Sequence, residues 1–202
     1  MEKIILKPGR EKSVKRHHPW IFSGAIERVT GAPEPGSVLT VCSHGGEPLG
    51  VAAWSPTSQL TGRFWSFDPA ETIDAAFLRR RLQRAIDYRR ALGLPEAGGG
   101  CRLVSSEADG LPGLIVDVYD QWLVVQFLAA GMEYFRATVL RELEALWPAR
   151  GIYERSDVDV RRRENLPERK GVLAGEEPPE LVPIREHGLQ FLVDVRHGHK
   201  TG

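Results

Sequence analysis

Residues 4–67 alternate short apolar runs with turn residues, and this pattern limits the fold more than any other part of the chain. The runs are separated by Pro8-Gly9, by Gly45-Gly46 and by the Pro-Glu-Pro-Gly sequence of residues 33–36, all of which are typical of turns. Asp68-Pro69 ends the pattern, because a proline cannot continue a central strand. The pattern predicts a small β-barrel with strands at residues 4–6, 20–22, 36–41, 49–54 and 62–67.

A long amphipathic helix is predicted after the barrel. It begins near Asp74, a typical N-cap residue, and ends at Leu92 before Gly93. Apolar residues recur on one side at three- and four-residue spacing. Six arginines occupy most of the remaining surface: Arg79, Arg80, Arg81, Arg84, Arg89 and Arg90. These cations either contact RNA or line a solvated face, and the sequence leaves both alternatives open.

The glycine run at residues 98–100 separates this helix from a second group of elements. A phosphate-binding glycine loop follows a strand and opens a helix, whereas this run follows a helix and opens a strand, so it is predicted to be a linker. Strands are expected at residues 102–105, 114–119, 123–128 and 151–154, a helix at about 133–147, and a hairpin at 181–185 and 189–193. This order predicts a mostly antiparallel α+β domain.

The predicted fold class is therefore α+β, with a barrel over residues 1–69, a basic helix and linker over 70–100, and a central domain over 101–195. Residues 194–202 read as an alternating strand that runs into Lys-Thr-Gly without a helix or cap to finish a domain. We therefore expect residues 196–202 to begin a further domain.

Composition excludes several classes of protein. No apolar stretch approaches the roughly 20 residues that cross a bilayer, and the N-terminus lacks the pattern of a signal peptide, so we expect a cytoplasmic protein with no membrane partner. Cys42 and Cys101 are too few for a disulfide framework and lack the spacing of a zinc site. Neither has a basic partner nearby in sequence, and both are predicted to be inert thiols. We expect no metal site.

The N-terminal segment is the main candidate for binding nucleic acid. The chain carries 27 basic and 27 acidic residues, but the basic ones concentrate near the start. Cations there bind phosphates and release counterions, and aromatic rings stack on unpaired bases. The alternative is a solvated edge of the barrel. The candidate RNA-binding residues are Lys7, Arg10, Lys12, Lys15, Arg16, His17 and Trp20.

Three runs carry a resemblance to a known family: residues 9–13 with 18–24, the Glu-Ala-Asp-Gly-Leu-Pro-Gly-Leu-Ile-Val-Asp sequence of residues 107–117, and the closing Lys200-Thr201-Gly202. They resemble the PUA-domain-bearing, S-adenosylmethionine-dependent RNA methyltransferases. Members of that family carry an N-terminal PUA barrel, a central α+β domain and a Rossmann-like domain that makes 5-methylcytosine in large-subunit ribosomal RNA. The resemblance covers the whole chain but only the first two of these domains.

The resemblance implies a role for the chain's end. Lys200, Thr201 and Gly202 match the segment that borders the S-adenosylmethionine pocket, whereas His199 departs from the glutamine usual there. The chain has no glycine-rich loop for this cofactor, so we expect the Rossmann-like methyltransferase domain to be absent, no catalytic residue to be present, and no cofactor to bind this chain alone.

The resemblance implies that the chain positions large-subunit ribosomal RNA for a catalytic domain that it lacks. On its own it is expected to be inactive. Two other functions remain open at this point: a non-enzymatic module that binds RNA or protein, and a dimerisation scaffold that forms a homodimer.

Overall fold

The computed structural model describes residues 2–198. In chain order, its elements are β1 (Lys3–Leu6), α1 (Glu11–Val14), β2 (Trp20–Phe22), β3 (Ile26–Thr30), β4 (Val38–Cys42), β5 (Pro48–Trp54), β6 (Leu60–Ser66), α2 (Ala75–Ala91), β7 (Gly100–Ser105), β8 (Leu114–Tyr119), β9 (Trp122–Phe127), α3 (Ala130–Tyr134), α4 (Arg136–Leu146), β10 (Gly151–Ser156), α5 (Val160–Arg163), β11 (Arg169–Gly175), β12 (Val182–Glu186) and β13 (Leu189–Val193).

The first six strands form one sheet in the order β2-β6-β5-β4-β1-β3. Laid flat, such a sheet would separate its edge strands by about 24 Å, at roughly 4.8 Å for each strand spacing. Phe22 and Ile26, which end β2 and begin β3, are four residues apart and span at most about 14 Å. The sheet must therefore curl until its edges approach each other. Its interior is filled by eight buried side chains: Ile4, Leu6, Val14, Ile21, Leu39, Val41, Ala52 and Phe64.

The second sheet has the order β11-β10-β9-β8-β7. Strands β7, β8 and β9 pair antiparallel, as do β10 and β11, but β9 and β10 are parallel. A parallel return requires a long crossover, and α3 and α4 provide it, so that residues 122–156 form a β-α-β unit. The predicted fold class is wrong here. Three of the four pairings in this sheet are antiparallel, but the sheet is mixed with a Rossmann-like crossover, so the expectation of an absent Rossmann-like part fails.

Strand β9 is covered on both faces, which explains its uninterrupted apolar character. Leu123 and Val125 face the helices and belong to the largest cluster of buried residues. The alternate residues Trp122 and Val124 contact the β12–β13 hairpin through Val182 and Ile184. Successive side chains of a strand point to opposite faces, so one short strand holds helices on one side and a hairpin on the other.

Helix α2 packs against the second sheet. The Asp74 carboxylate accepts a hydrogen bond from the Phe77 backbone N–H at 2.8 Å, which caps the first turn. Its buried side consists of Phe77, Leu78, Leu82, Ala85 and Ile86. The helix therefore begins and ends within one residue of the predicted limits, and the predicted apolar side is buried except at its two ends, Ala75 and Leu92.

The barrel and the second sheet share one hydrophobic core. Val51, Ala53 and Trp65 of the barrel belong to the same buried cluster as α2 and strands β7 to β10. The contact is close at Gly131 in α3, where an added Cβ would lie 2.3 Å from the Cβ of Ala53. A larger residue at this position would force the two units apart.

A buried carboxylate also joins the two units. Glu164, only 4% exposed, accepts hydrogen bonds from the Ser55 hydroxyl at 2.7 Å, the Arg63 guanidinium at 2.8 Å and the Ala130 backbone N–H at 3.2 Å. Ser55 and Arg63 belong to the barrel, whereas Ala130 begins α3. One side chain therefore fixes a barrel strand, a barrel loop and a helix start relative to one another.

In the part of the chain that the structure describes, no helix is both long and apolar enough to cross a membrane.

We predict that Glu164→Ala lowers the free energy of unfolding by about 3 kcal/mol, because it leaves the buried Arg63 guanidinium without its closest carboxylate. Urea unfolding measures this loss. As a control, Glu176→Ala removes an exposed ion pair with Arg150 and should cost less than about 1 kcal/mol. Equal losses in the two variants would contradict the role assigned to Glu164.

Candidate nucleic-acid interface

Six of the predicted RNA-binding residues lie on the segment that connects β1 to β2, and the seventh, Trp20, is the first residue of β2. Within this segment, Val14 in the short helix α1 is buried in the barrel core. This anchor holds the segment against the barrel, and the polar side chains around it face solvent. All seven predicted residues are exposed: Lys7, Arg10, Lys12, Lys15, Arg16, His17 and Trp20.

Most of the cations in this segment are free of carboxylate partners. The Lys15 ammonium donates to Glu47 at 2.8 Å, and this hydrogen bond raises the pKa of Lys15. Among residues 2–198, no carboxylate forms an ion pair with Arg10, Lys12 or Arg16. Three exposed positive charges without an ion-pair partner therefore lie within seven residues of chain.

The two aromatic candidates lie at the end of the segment and contact the rest of the molecule. His17, in a left-handed conformation with φ of 59°, stacks on Phe67 with ring centroids 4.6 Å apart. The Trp20 indole N–H donates to Glu107 at 3.0 Å, and the side chain stays 39% exposed. Both rings are thus held in place with one side accessible.

Phe67 and Glu107 line a cleft between the barrel and α2, with a volume of about 770 Å³. One wall is the end of β6 and the residues after it, and the opposite wall is α2. The cleft floor includes the turn before β8. Its lining residues are Pro19, Phe64, Trp65, Ser66, Phe67, Arg81, Arg84, Ala85, Tyr88, Arg89, Glu107, Ala108, Asp109, Gly110 and Pro112.

Four of the six arginines on α2 are neutralised by carboxylates. The ion pairs are Arg79–Glu142 at 3.0 Å, Arg80–Glu71 at 3.1 Å, Arg89–Asp109 at 2.6 Å and Arg90–Asp87 at 3.8 Å. Within the described residues, no carboxylate pairs with Arg81 or Arg84. Arg81 and Arg84 are thus the two α2 arginines without an ion pair among the described residues, and both line the cleft.

The surroundings of Arg81 disfavour the charged form of its guanidinium. Partial burial, followed by repulsion from Arg84, lowers the pKa of Arg81 below the ordinary value for arginine. An arginine remains protonated at neutral pH even so, which leaves a positive charge that an anion entering the cleft would stabilise.

The paired Arg89 has a structural role. Its guanidinium donates to both oxygens of Asp109, at 2.6 and 2.8 Å, and to the carbonyl of Arg102 at 3.0 Å. Asp109 also accepts from the Ser105 backbone N–H at 2.6 Å. This network fixes the turn before β8, and with it the floor of the cleft.

The predicted cofactor residues Lys200, Thr201 and Gly202 lie outside the described residues. In Rossmann-like sheets, nucleotides bind where a parallel strand ends and a helix begins, which is the turn between β9 and α3 here. That turn is filled, because Gly131 packs on Ala53 and the Ala130 N–H donates to Glu164. The described residues at this turn do not fit S-adenosylmethionine.

Neither cysteine is set up as a nucleophile. Cys42 is buried in the barrel. Burial raises the pKa of Cys101 to about 11, so this thiol stays protonated near neutral pH, and only the thiolate is a strong nucleophile.

We predict that neither thiol of the folded chain reacts readily with a disulfide reagent at pH 8, because Cys101 is protonated at that pH and Cys42 is inaccessible. Absorbance titration in buffer and in 6 M guanidinium measures the rates. Rapid labelling of Cys101 at pH 8 in the folded chain, shown by peptide mapping, would contradict this assignment.

The sequence did not identify several residues of this site. Phe67 reads as the last residue of a barrel strand, and Tyr88 lies in the predicted helix outside its apolar side. Arg81 and Arg84 could not be separated from the other helix arginines, because three of the four carboxylates that neutralise those lie outside the helix, as Glu142 does for Arg79. The spacing of the unpaired arginines from Tyr88, at seven and four residues along a helix, is the one available signal.

Comparison with known proteins supports the interpretation of the barrel. Residues 4–67 match the model of the PUA-like domain family. Over 200 residues, the chain is 46% identical to ribosomal RNA large subunit methyltransferase I of Escherichia coli O139:H28, and 47% identical to the protein of the same name from E. coli SMS-3-5. Each alignment covers 99% of this chain and 50% of the relative, so the chain spans about half the length of these curated relatives.

Solved structures give the same fold. A Streptococcus mutans protein assigned as an S-adenosylmethionine-dependent methyltransferase aligns with 98% of this chain and 50% of its own, with a TM-score of 0.80 and 20% identity. A second solved structure, of an assigned methyltransferase complexed with S-adenosylhomocysteine, aligns with a TM-score of 0.80 over 98% of this chain and 49% of its own. This likeness also overturns the expectation that a Rossmann-like part is absent.

The predicted resemblance is thus confirmed: residues 4–67 match the PUA-like domain family, and the whole chain is similar to ribosomal RNA large subunit methyltransferase I and, in fold, to S-adenosylmethionine-dependent methyltransferases.

Proposed function

We propose that this chain is the RNA-recognition part of an S-adenosylmethionine-dependent methyltransferase that acts on C5 of cytosine in large-subunit ribosomal RNA. The observation that carries the proposal is the segment before β2, where unpaired cations adjoin two anchored aromatic rings on a PUA-like unit. The relatives' name supplies the substrate class. The chain would act in the cytoplasm.

The cations of the segment suit a nucleic-acid backbone. Arg10, Lys12 and Arg16 are exposed and lack carboxylate partners within the described residues. Charges already bound by carboxylates would have to exchange partners, whereas free charges gain the full release of counterions from the nucleic acid. Charge attraction by itself does not separate RNA from DNA.

The rings provide a reason for choosing RNA with unpaired bases. His17 rests on Phe67, and the Trp20 N–H is held by Glu107, so each ring has a fixed plane on which a base can stack. Unpaired loops and ends expose bases in this way, whereas a duplex does not. We therefore propose that single-stranded or loop RNA is the preferred ligand.

S-adenosylmethionine is proposed here as the cofactor of the whole methyltransferase activity, and not as a ligand of this chain alone. The activity class implied by the relatives transfers a methyl group from S-adenosylmethionine, and the described residues offer no fitting site for that molecule at the β9–α3 turn. The contribution proposed for this chain is to bind and orient RNA.

A dimerisation scaffold is a second candidate, favoured by the hairpin of β12 and β13. Three of its apolar side chains are exposed, with 63% of Leu189, 44% of Phe191 and 64% of Leu192 accessible. Hairpin edges offer unpaired backbone groups to another strand. A second copy of this chain, related by a twofold axis, would satisfy both features.

Changing Arg10, Lys12, Lys15 and Arg16 together to alanine should weaken binding to a large-subunit ribosomal RNA fragment. The slope of log affinity against log salt should flatten by about 2, at roughly 0.7 for each of the three unpaired cations that no longer neutralises a single-strand phosphate. Fluorescence anisotropy over a salt series measures both quantities, with duplex DNA as the competitor.

The matched control removes four exposed cations from the rest of the molecule: Arg141, Arg150, Arg162 and Lys170. It should keep affinity within about threefold of the wild type. If both quadruple variants lowered RNA affinity equally, general charge attraction would explain the binding. That result would contradict the proposal that the segment before β2 is the RNA-binding site.

For the scaffold, sedimentation velocity should reveal a dimer that forms with increasing protein concentration, with or without RNA. Leu189→Ser with Leu192→Ser should abolish that dimer, since both changes remove exposed apolar surface from the hairpin. A wild-type chain that stays monomeric up to 100 µM would rule this candidate out.

A further inference from the structure

We propose that the cleft between the barrel and α2 is a second RNA-binding site that takes one unpaired nucleotide, with its phosphate on Arg81 and Arg84 and its base against Tyr88. The inference rests on the proposed RNA-binding function and extends it to residues outside the N-terminal segment.

The arginines of α2 that have no carboxylate partner indicate a phosphate site in the cleft. Its other four arginines are held by carboxylates, while Arg81 and Arg84 line the cleft with no such partner in the described part of the chain. Two guanidinium groups at i and i+3 lie on the same side of a helix and repel each other unless an anion lies between them. A phosphate has the charge and the geometry that guanidinium groups bind.

The volume and lining of the cleft suit a single nucleotide. A volume of about 770 Å³ falls in the range of small-ligand pockets, roughly 300–1,000 Å³. Tyr88 lies one helical turn after Arg84 and is 59% exposed, although it lines the cleft. An exposed ring beside unpaired cations offers a stacking surface next to a phosphate site.

The negative groups of the cleft do not cancel this charge. Asp109 is held by Arg89 at 2.6 Å, and Glu107 accepts from the Trp20 indole at 3.0 Å and lies 3.8 Å from Arg63. Both carboxylates are therefore committed to groups of the protein itself, which leaves Arg81 and Arg84 available to an incoming anion.

The cleft is also continuous with the proposed N-terminal RNA surface. His17 stacks on Phe67, Pro19 lines the cleft, and Trp20 contacts Glu107. A strand of RNA on the N-terminal segment would thus reach the mouth of the cleft without crossing another part of the protein. A single unstacked nucleotide at that point can turn into the cleft.

The test compares two double variants of this chain. Arg81→Gln with Arg84→Gln should weaken binding of a single-stranded RNA about tenfold and flatten the salt slope by about 1.4. Arg80→Gln with Arg90→Gln removes the same charge from the same helix, but from paired arginines outside the cleft, and should change affinity less than about twofold. Circular dichroism melting confirms that each variant is folded.

A second measurement separates stacking from charge. Tyr88→Ala should weaken binding of a hairpin RNA with an unpaired loop at least about fivefold and leave weak binding of a fully paired RNA unchanged. Tyr88→Phe, which keeps the ring, should retain wild-type affinity. A loss of affinity that is equal for both RNAs would contradict the proposed base contact.

The outcomes distinguish the two proposals. If the wild type binds RNA and the N-terminal quadruple variant weakens it, but the cleft variants match their control, the cleft inference fails and the proposed function stands. If the wild type binds no RNA at any salt concentration, both fail. If the cleft variants alone weaken binding, the cleft inference stands and the N-terminal segment is not the site.

Discussion

The buried Glu164 carboxylate is the interaction on which the geometry of the molecule depends. It accepts hydrogen bonds from the barrel, through Ser55 and Arg63, and from the start of α3. Because an isolated buried charge is costly, all its partners must remain in place together. The shared apolar core and the close contact of Gly131 with Ala53 act in the same direction. The barrel and the second sheet are thereby held in one arrangement, and the cleft between the barrel and α2 has a fixed shape.

This fixed arrangement explains how an ordinary charge composition produces a localised basic surface. The chain has no net charge, and most of the α2 arginines are paired. Two neighbouring features carry cations that no carboxylate pairs within the described residues: the segment before β2 and the cleft wall formed by α2. His17 and Trp20 link the two through Phe67 and Glu107. The position of uncompensated charge, and not its total, is what favours RNA as a ligand.

The sequence predicted the elements whose signals are local. Helix α2 has both its cap at Asp74 and its buried side as expected. The sequence did not predict β3 and β11. Their residues are largely polar or only partly buried, so neither strand shows the alternation of a half-buried strand. The parallel pairing of β9 with β10 depends on where α3 and α4 return the chain, which no local pattern encodes. The unpaired arginines of the cleft could not be predicted for a similar reason, because three of the four paired arginines of α2 are neutralised by carboxylates outside the helix.

The most direct test of the account is to cross-link photoreactive 4-thiouridine RNA to the chain and map the cross-linked peptides by mass spectrometry. A single continuous RNA surface predicts cross-links within residues 12–20, 64–67 and 81–89, all suppressed by unlabelled single-stranded RNA. Cross-links confined to the edge strand β11 or to the β12–β13 hairpin would contradict it.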